Sequence, residues 1–170
     1  MSVASVMQKM VMTFRENIQL RRFAVIAGDN PIAYMHLNGK YGVILNVFAN
    51  GSRDPLIRSI GKDLAMQIAS MAPAYLSREH VPEEVLARVQ SEIRLDIASD
   101  KKLNGKPENV IAQIYQGRIH KFMKIHCLPE QPFIRDDSLT VGQFLESQAK
   151  LVGTNVEVTE FCRYEKGEGL

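Results

Sequence analysis

Long apolar runs, blocks of one charge and closely spaced cysteines are all missing from this sequence, and each absence removes a class of protein. The methionine-rich start, MSVASVMQKMVMTF, is interrupted by Gln8 and Lys9 and holds no apolar stretch long enough for a secretion signal or a membrane span. The chain therefore reads as cytosolic (cytoplasmic), with no membrane partner. Its 21 basic and 19 acidic residues leave a formal charge of +2 and are scattered along the chain. Without a basic block or interleaved aromatics, direct nucleic-acid binding is not expected. Cys127 and Cys162 stand far apart, with no CxxC pair and no histidine pair at zinc spacing. They read as small core residues in a reducing compartment.

The motifs of catalysis are missing too. There is no GxxxxGKS/T phosphate loop, no GxGxxG after a strand, no GxSxG elbow and no HExxH. Gly61-Lys62-Asp63 sits inside a helical pattern, a poor cradle for phosphate. His120 and His126 share a helix but face nearly opposite sides of it, so no metal site is expected. Glu83-Glu84 and Asp136-Asp137 are pairs in sequence only, and acidic residues at helix starts serve the helix dipole and its caps. No catalytic residue, metal or cofactor is assigned, and the chain reads as a protein without enzyme chemistry.

What is present is an α+β pattern. With 170 residues, of which 45% are hydrophobic, one ordinary core is expected. Val3, Val6, Met7, Met10, Val11 and Phe14 recur at helical spacing. Ile18 to Ile26 reads as a strand whose apolar phase slips across Arg21-Arg22, which suggests a bulge. Ile32 to Leu37, the pair Asn38-Gly39, and Lys40 to Ala49 give a two-residue hairpin signal, with Val43, Leu45 and Val47 alternating. These strands predict an antiparallel meander. Asp54-Pro55 is a helix start whose stripe, Ile57, Ile60, Leu64, Ala65, Ile68 and Met71, covers that sheet until Pro73. At the hairpin tip, Ile32, Tyr34 and His36 share a face, and His36 is either an exposed turn residue or a contact point for a partner protein.

The longest feature is a pair of helices over 82–99 and 107–126, joined by a polar loop that breaks at Asn104-Gly105. Leu86, Val89, Ile93 and Ile97 on one helix match Ile111, Tyr115 and Phe122 on the other, so a helical hairpin of coiled-coil type is predicted. Pro129 and Pro132 force an extended exit. Thr140 to Gln143 matches a capping box, Gly153 ends that helix, and Asn155 to Tyr164 reads as one more strand. The predicted organisation is a core half over 1–81 (helix, three-stranded meander, helix), an arm over 82–127, and a return segment, helix and strand over 128–170. The fold class is α+β, an antiparallel sheet of three to four strands covered by helices on one face, with an inserted antiparallel helical hairpin.

RENIQLRRFAVIAGD, YMH, GKDLAMQIASMAPAYL, GKPENVIAQIYQGRIHKFMKIHCLPEQPFIRDD, LTVGQFL and RYEKGEG, in that order, resemble the elongation factor Ts family from about Phe14 to Gly169. That resemblance implies a guanine nucleotide exchange factor for the GTPase elongation factor Tu in translation elongation. It also implies a core of two similar halves with an inserted arm. The chain is similar to the second core half, the arm and part of the C-terminal module. It shows no helical module ahead of the core and no match to the family's Thr-Asp-Phe-Val segment. A non-exchanging binding or assembly module is thus the alternative reading. By position, Phe14 and Tyr34-Met35-His36 match the part that touches the GTPase's nucleotide-binding domain. Short members of the family pair two chains, and an uncovered strand edge or apolar face invites the same here. A homodimer is therefore expected, with Val43, Leu45, Val47 and Phe48 as contributors.

Overall fold

The computed structural model describes residues 2–169. In chain order the elements are α1 (Val3–Phe14), β1 (Asn30–His36), β2 (Tyr41–Phe48), α2 (Pro55–Met71), α3 (Glu83–Ser99), α4 (Glu108–His126), β3 (Pro132–Phe133), β4 (Asp136–Thr140), α5 (Val141–Val152) and β5 (Glu157–Glu165). The main sheet is antiparallel in the order β1-β2-β5, and β3 pairs with β4 in a small separate ribbon.

The chain makes β2 the central strand, and its alternation explains the core. Val43, Leu45 and Val47 are at most 2% exposed and meet Ile57, Ile60, Leu64 and Ile68 of α2. Helix and sheet pack closely at Gly61, where a Cβ would lie only 2.6 Å from Ile32 Cγ1. A larger residue there would push α2 off β1. As predicted, Asp54 caps α2, its carboxylate accepting from the Leu56 amide at 2.8 Å, with Pro55 at the first helical position. Pro31 lies inside β1, which an edge strand tolerates because its missing N–H need not face a partner. Phe133 stacks on Phe144 at 4.1 Å and joins the small ribbon to α5. The capping box at Thr140 and Gln143 and the left-handed cap at Gly153 both form.

The expected strand over Ile18 to Ile26 does not. Those residues have no regular structure, and the strand on the far side of β2 is β5, from near the end of the chain. A phase slip at Arg21-Arg22 leaves the segment no constant apolar face to lay on a sheet. Side chains hold it instead. Arg21 Nη2 donates to the Gly169 carbonyl at 2.7 Å, and Arg22 pairs with Glu168 at 3.1 Å and stacks 4.7 Å from the Tyr164 ring. The meander over 1–81 therefore has two strands, not three.

The helical hairpin of α3 and α4 forms, with Arg118 paired to Asp96 at 3.6 Å and Arg94 over Tyr115 at 5.5 Å. At its base Val81, Met123 and Cys127 are buried among Tyr75, Val85, Leu86, Ile119 and Phe122. The exit is locked by two buried glutamines. Gln67 Nε2 donates to Gln131 Oε1 and to the Pro132 carbonyl, both at 3.1 Å, while Gln67 Oε1 accepts from the Ile134 amide at 2.8 Å. Gln131 Nε2 in turn donates to the Ile125 carbonyl at 2.8 Å and the Met71 carbonyl at 3.3 Å. Every polar atom of this knot is satisfied, as burial requires.

Candidate partner-binding surface

The β1–β2 hairpin carries the residues that the sequence singles out. Register pairs Tyr34 with Val43 and His36 with Tyr41, so Tyr34, His36 and Tyr41 share one side of the ribbon and Met35 takes the other. Past the His36–Tyr41 pair, the turn is wider than the two residues expected. Leu37, Asn38 and Gly39 all take positive φ, at 47°, 52° and 82°. Asn and Gly adopt that region readily, whereas Leu does so under strain, and its side chain is left exposed.

On the Tyr34 side, the Tyr34 hydroxyl and His36 Nδ1 are hydrogen-bonded at 2.8 Å, and their rings lie 5.7 Å apart. Tyr34 is packed against the core, so it holds a half-buried His36 in one orientation at the tip. The Tyr41 ring lies 6.2 Å from His36 and carries two cations, with Arg163 at 4.7 Å and Lys40 at 5.0 Å from its centroid. Glu165 joins both, at 3.2 Å to Arg163 and 3.7 Å to Lys40. Tyr41 first, and Glu165 after it, hold the Lys40 ammonium above its ordinary value. On the opposite side Met35 is 67% exposed and rests over Gly42 and Gly39. The tip is thus an ordered aromatic and cationic edge beside a bare thioether.

Tyr34, Met35 and His36 are brought together as the sequence predicts. Phe14 is 61% exposed at the end of α1, a helix that buries none of its residues, and no hydrogen bond or ring contact joins it to the tip among the described residues. The expected pairing residues need correction. Val43, Leu45 and Val47 lie under α2, where no second chain can reach them, because alternation in β2 turns them to the covered face. Phe48 is half-buried at the end of the strand. The sheet's other side is the open one, with Met35, Ile44, Cys162 and Tyr164 around a shallow hollow beside Phe23 and Ala24. Sequence reasoning missed Tyr41, Lys40, Arg163 and Glu165. Hairpin register alone would have placed Tyr41 beside His36, but nothing local points to Arg163.

Among the described residues no cluster of three or more His, Cys, Asp or Glu could hold a metal, and no helix is long and apolar enough to cross a membrane. A family model described as Elongation factor TS matches residues 1–168. The chain belongs to the elongation factor Ts family. Elongation factor Ts of Clostridioides difficile (strain 630) is 34% identical over 171 residues, covering 99% of this chain and 54% of that protein. Elongation factor Ts of Clostridium botulinum (strain 657 / Type Ba4) gives 34% over 170 residues, with the same two shares of 99% and 54%. That of strain Eklund 17B / Type B is 34% identical over 157 residues, covering 91% of this chain and 50% of the relative. The chain thus spans about half the length of these elongation factor Ts relatives.

Proposed function

We propose that this chain grips elongation factor Tu in the cytoplasm through the β1–β2 tip and promotes release of GDP. The observation that supports this reading is the fixed Tyr34–His36 pair at an exposed hairpin end, in a chain of the elongation factor Ts family. The bond to Tyr34 occupies Nδ1 of His36 and leaves Nε2 as the ring nitrogen open to a partner. Met35 and Leu37 add apolar contact on either side. Such a tip needs no bond-making chemistry. If it binds the empty GTPase more tightly than the nucleotide-bound one, each ligand weakens the other by the same factor. Phe14 contributes a second contact from α1.

The test is GDP release from elongation factor Tu with and without this chain. Acceleration that is lost with His36→Ala, at an unchanged unfolding midpoint, supports exchange through the tip. Binding without acceleration would instead favour a docking or assembly module. Self-association is part of the same reading, through the open sheet face and Phe48 rather than the α2 face, since Met35 and its neighbours on that face are not covered by α2. Light scattering of the wild type and of Ile44→Asp reads it, and equal monomer masses would sink it.

A further inference from the structure

A connected path of side chains runs from the C-terminal turn of α2 to the tip. Arg163 of β5 donates from Nε to the Ala69 carbonyl at 3.3 Å and from Nη2 to Glu165 at 3.2 Å, while its guanidinium lies 4.7 Å from the Tyr41 ring centroid. Its side chain is largely withdrawn from water. Tyr41 is next to His36, and His36 is bonded to Tyr34. Each group along this line therefore constrains the next. A planar guanidinium can hold a carbonyl and a carboxylate while stacking on an aromatic face, which a lysine cannot do at once. The strand that supplies Arg163 is also the strand that completes the sheet, so the tip's geometry depends on β5 being docked.

We propose that Arg163 is a positioning residue for His36, setting the imidazole's orientation through the Tyr41 ring and so preorganising the tip for its partner. The proposal rests on the reading that the tip binds the GTPase. Arg163 anchors the far side of Tyr41 to α2, and loss of that anchor frees the Tyr41 ring and leaves His36 held from the Tyr34 side alone, with a wider spread of ring orientations. Preorganisation lowers the ordering cost of binding, so its loss appears as weaker affinity without loss of any direct contact.

The experiment combines ring NMR of the free chain with a binding cycle on elongation factor Tu. Arg163→Met should move the His36 ring signals and weaken binding by about tenfold, and it should cost almost nothing further in a chain that already carries His36→Ala. Arg163→Lys, which returns a cation to the ring without the fork, should recover part of both effects. Unmoved His36 signals, or losses that simply add in the double variant, would overturn the proposal. Should Arg163→Met lose its folded amide spectrum, Tyr41→Leu removes the intervening ring while leaving the bonds to Ala69 and Glu165; it must then shift His36 and weaken binding, and a silent result is equally fatal. If the wild-type chain fails to bind the GTPase at all, the functional reading falls, yet the ring signals still decide whether Arg163 orients His36.

Discussion

The sheet under α2 and the arm of α3 and α4 are made from the same kinds of apolar residue, and they use them differently. In the body, Leu45, Ile57, Ile60, Leu64 and Ile68 are fully buried within one contiguous cluster. Within the two helices of the arm only Ile93 of α3 and Met123 of α4 are buried, and Leu95 is 68% exposed. Two helices can cover only one stripe of each other, whereas a helix on a sheet is met by several strands at once. The body therefore supplies most of the stability, and the arm borrows it through its base. A long element with few buried contacts opens at low free energy.

The contrast is broken most directly in the body. Leu64→Ala should destabilise the chain by about 2–5 kcal/mol, because it leaves a cavity that a packed core cannot close. Chemical denaturation reads this value, and a loss under about 1 kcal/mol would mean that the α2 interface is looser than its burial implies. Next comes the joint between the two regions. Gln131→Ala removes one of the two acceptors of Gln67 Nε2 and the donor to the Ile125 and Met71 carbonyls, at a cost of about 1–3 kcal/mol for each buried group left unpaired. Hydrogen exchange should then rise first at the arm exit, and protection unchanged there would show that the knot does not hold the arm.

A smaller effect is expected at the arm's outer brace. Arg78 donates to both carboxylate oxygens of Glu130, at 2.6 and 2.9 Å, and so holds that carboxyl below its ordinary value of 4.5. The folded state thus favours the ionised form. The stabilisation is complete above 4.5 and fades as pH falls through the lower folded value. With Arg78 about half exposed, the pair is worth roughly 1 kcal/mol or less. Urea midpoints of wild type and Arg78→Gln should converge in acid, and a gap that persists there would rule the pair out as its source. Smallest of all, Leu95→Ala on the outer face of α3 should change stability by no more than about 0.5 kcal/mol. A larger loss would show that the arm is covered by something the isolated chain provides.

Local rules carried the reading of the body well. The Asp54-Pro55 start and the capping box at Thr140 each depend on residues within a few positions of one another, the helical hairpin on two neighbouring stripes joined by a short loop, and all formed. What failed was anything decided by a distant segment. The stretch Ile18 to Ile26 has strand composition, but pairing is settled by which edge is free, and β5 had the better claim. The Asp54-Pro55 helix was expected to cover the sheet and does, yet Val43, Leu45 and Val47 were also given to a second chain, although alternation turns all three to the side that α2 covers. At the tip, Tyr34, Met35 and His36 were legible because hairpin register is short-range. Arg163 was not, since it reaches Tyr41 only after the arm has been traversed.

That order of construction matters while the chain is being made. Between Phe48, where β2 ends, and Glu157, where β5 begins, lie the covering helix, the entire arm and α5. At roughly 5–20 residues per second a ribosome spends on the order of 5–20 s on this interval. Throughout it β2 has one naked hydrogen-bonding edge, the kind that recruits strands from neighbouring nascent chains. The hairpin and α2 can meet early, but the histidine's final setting must wait for the last strand to arrive.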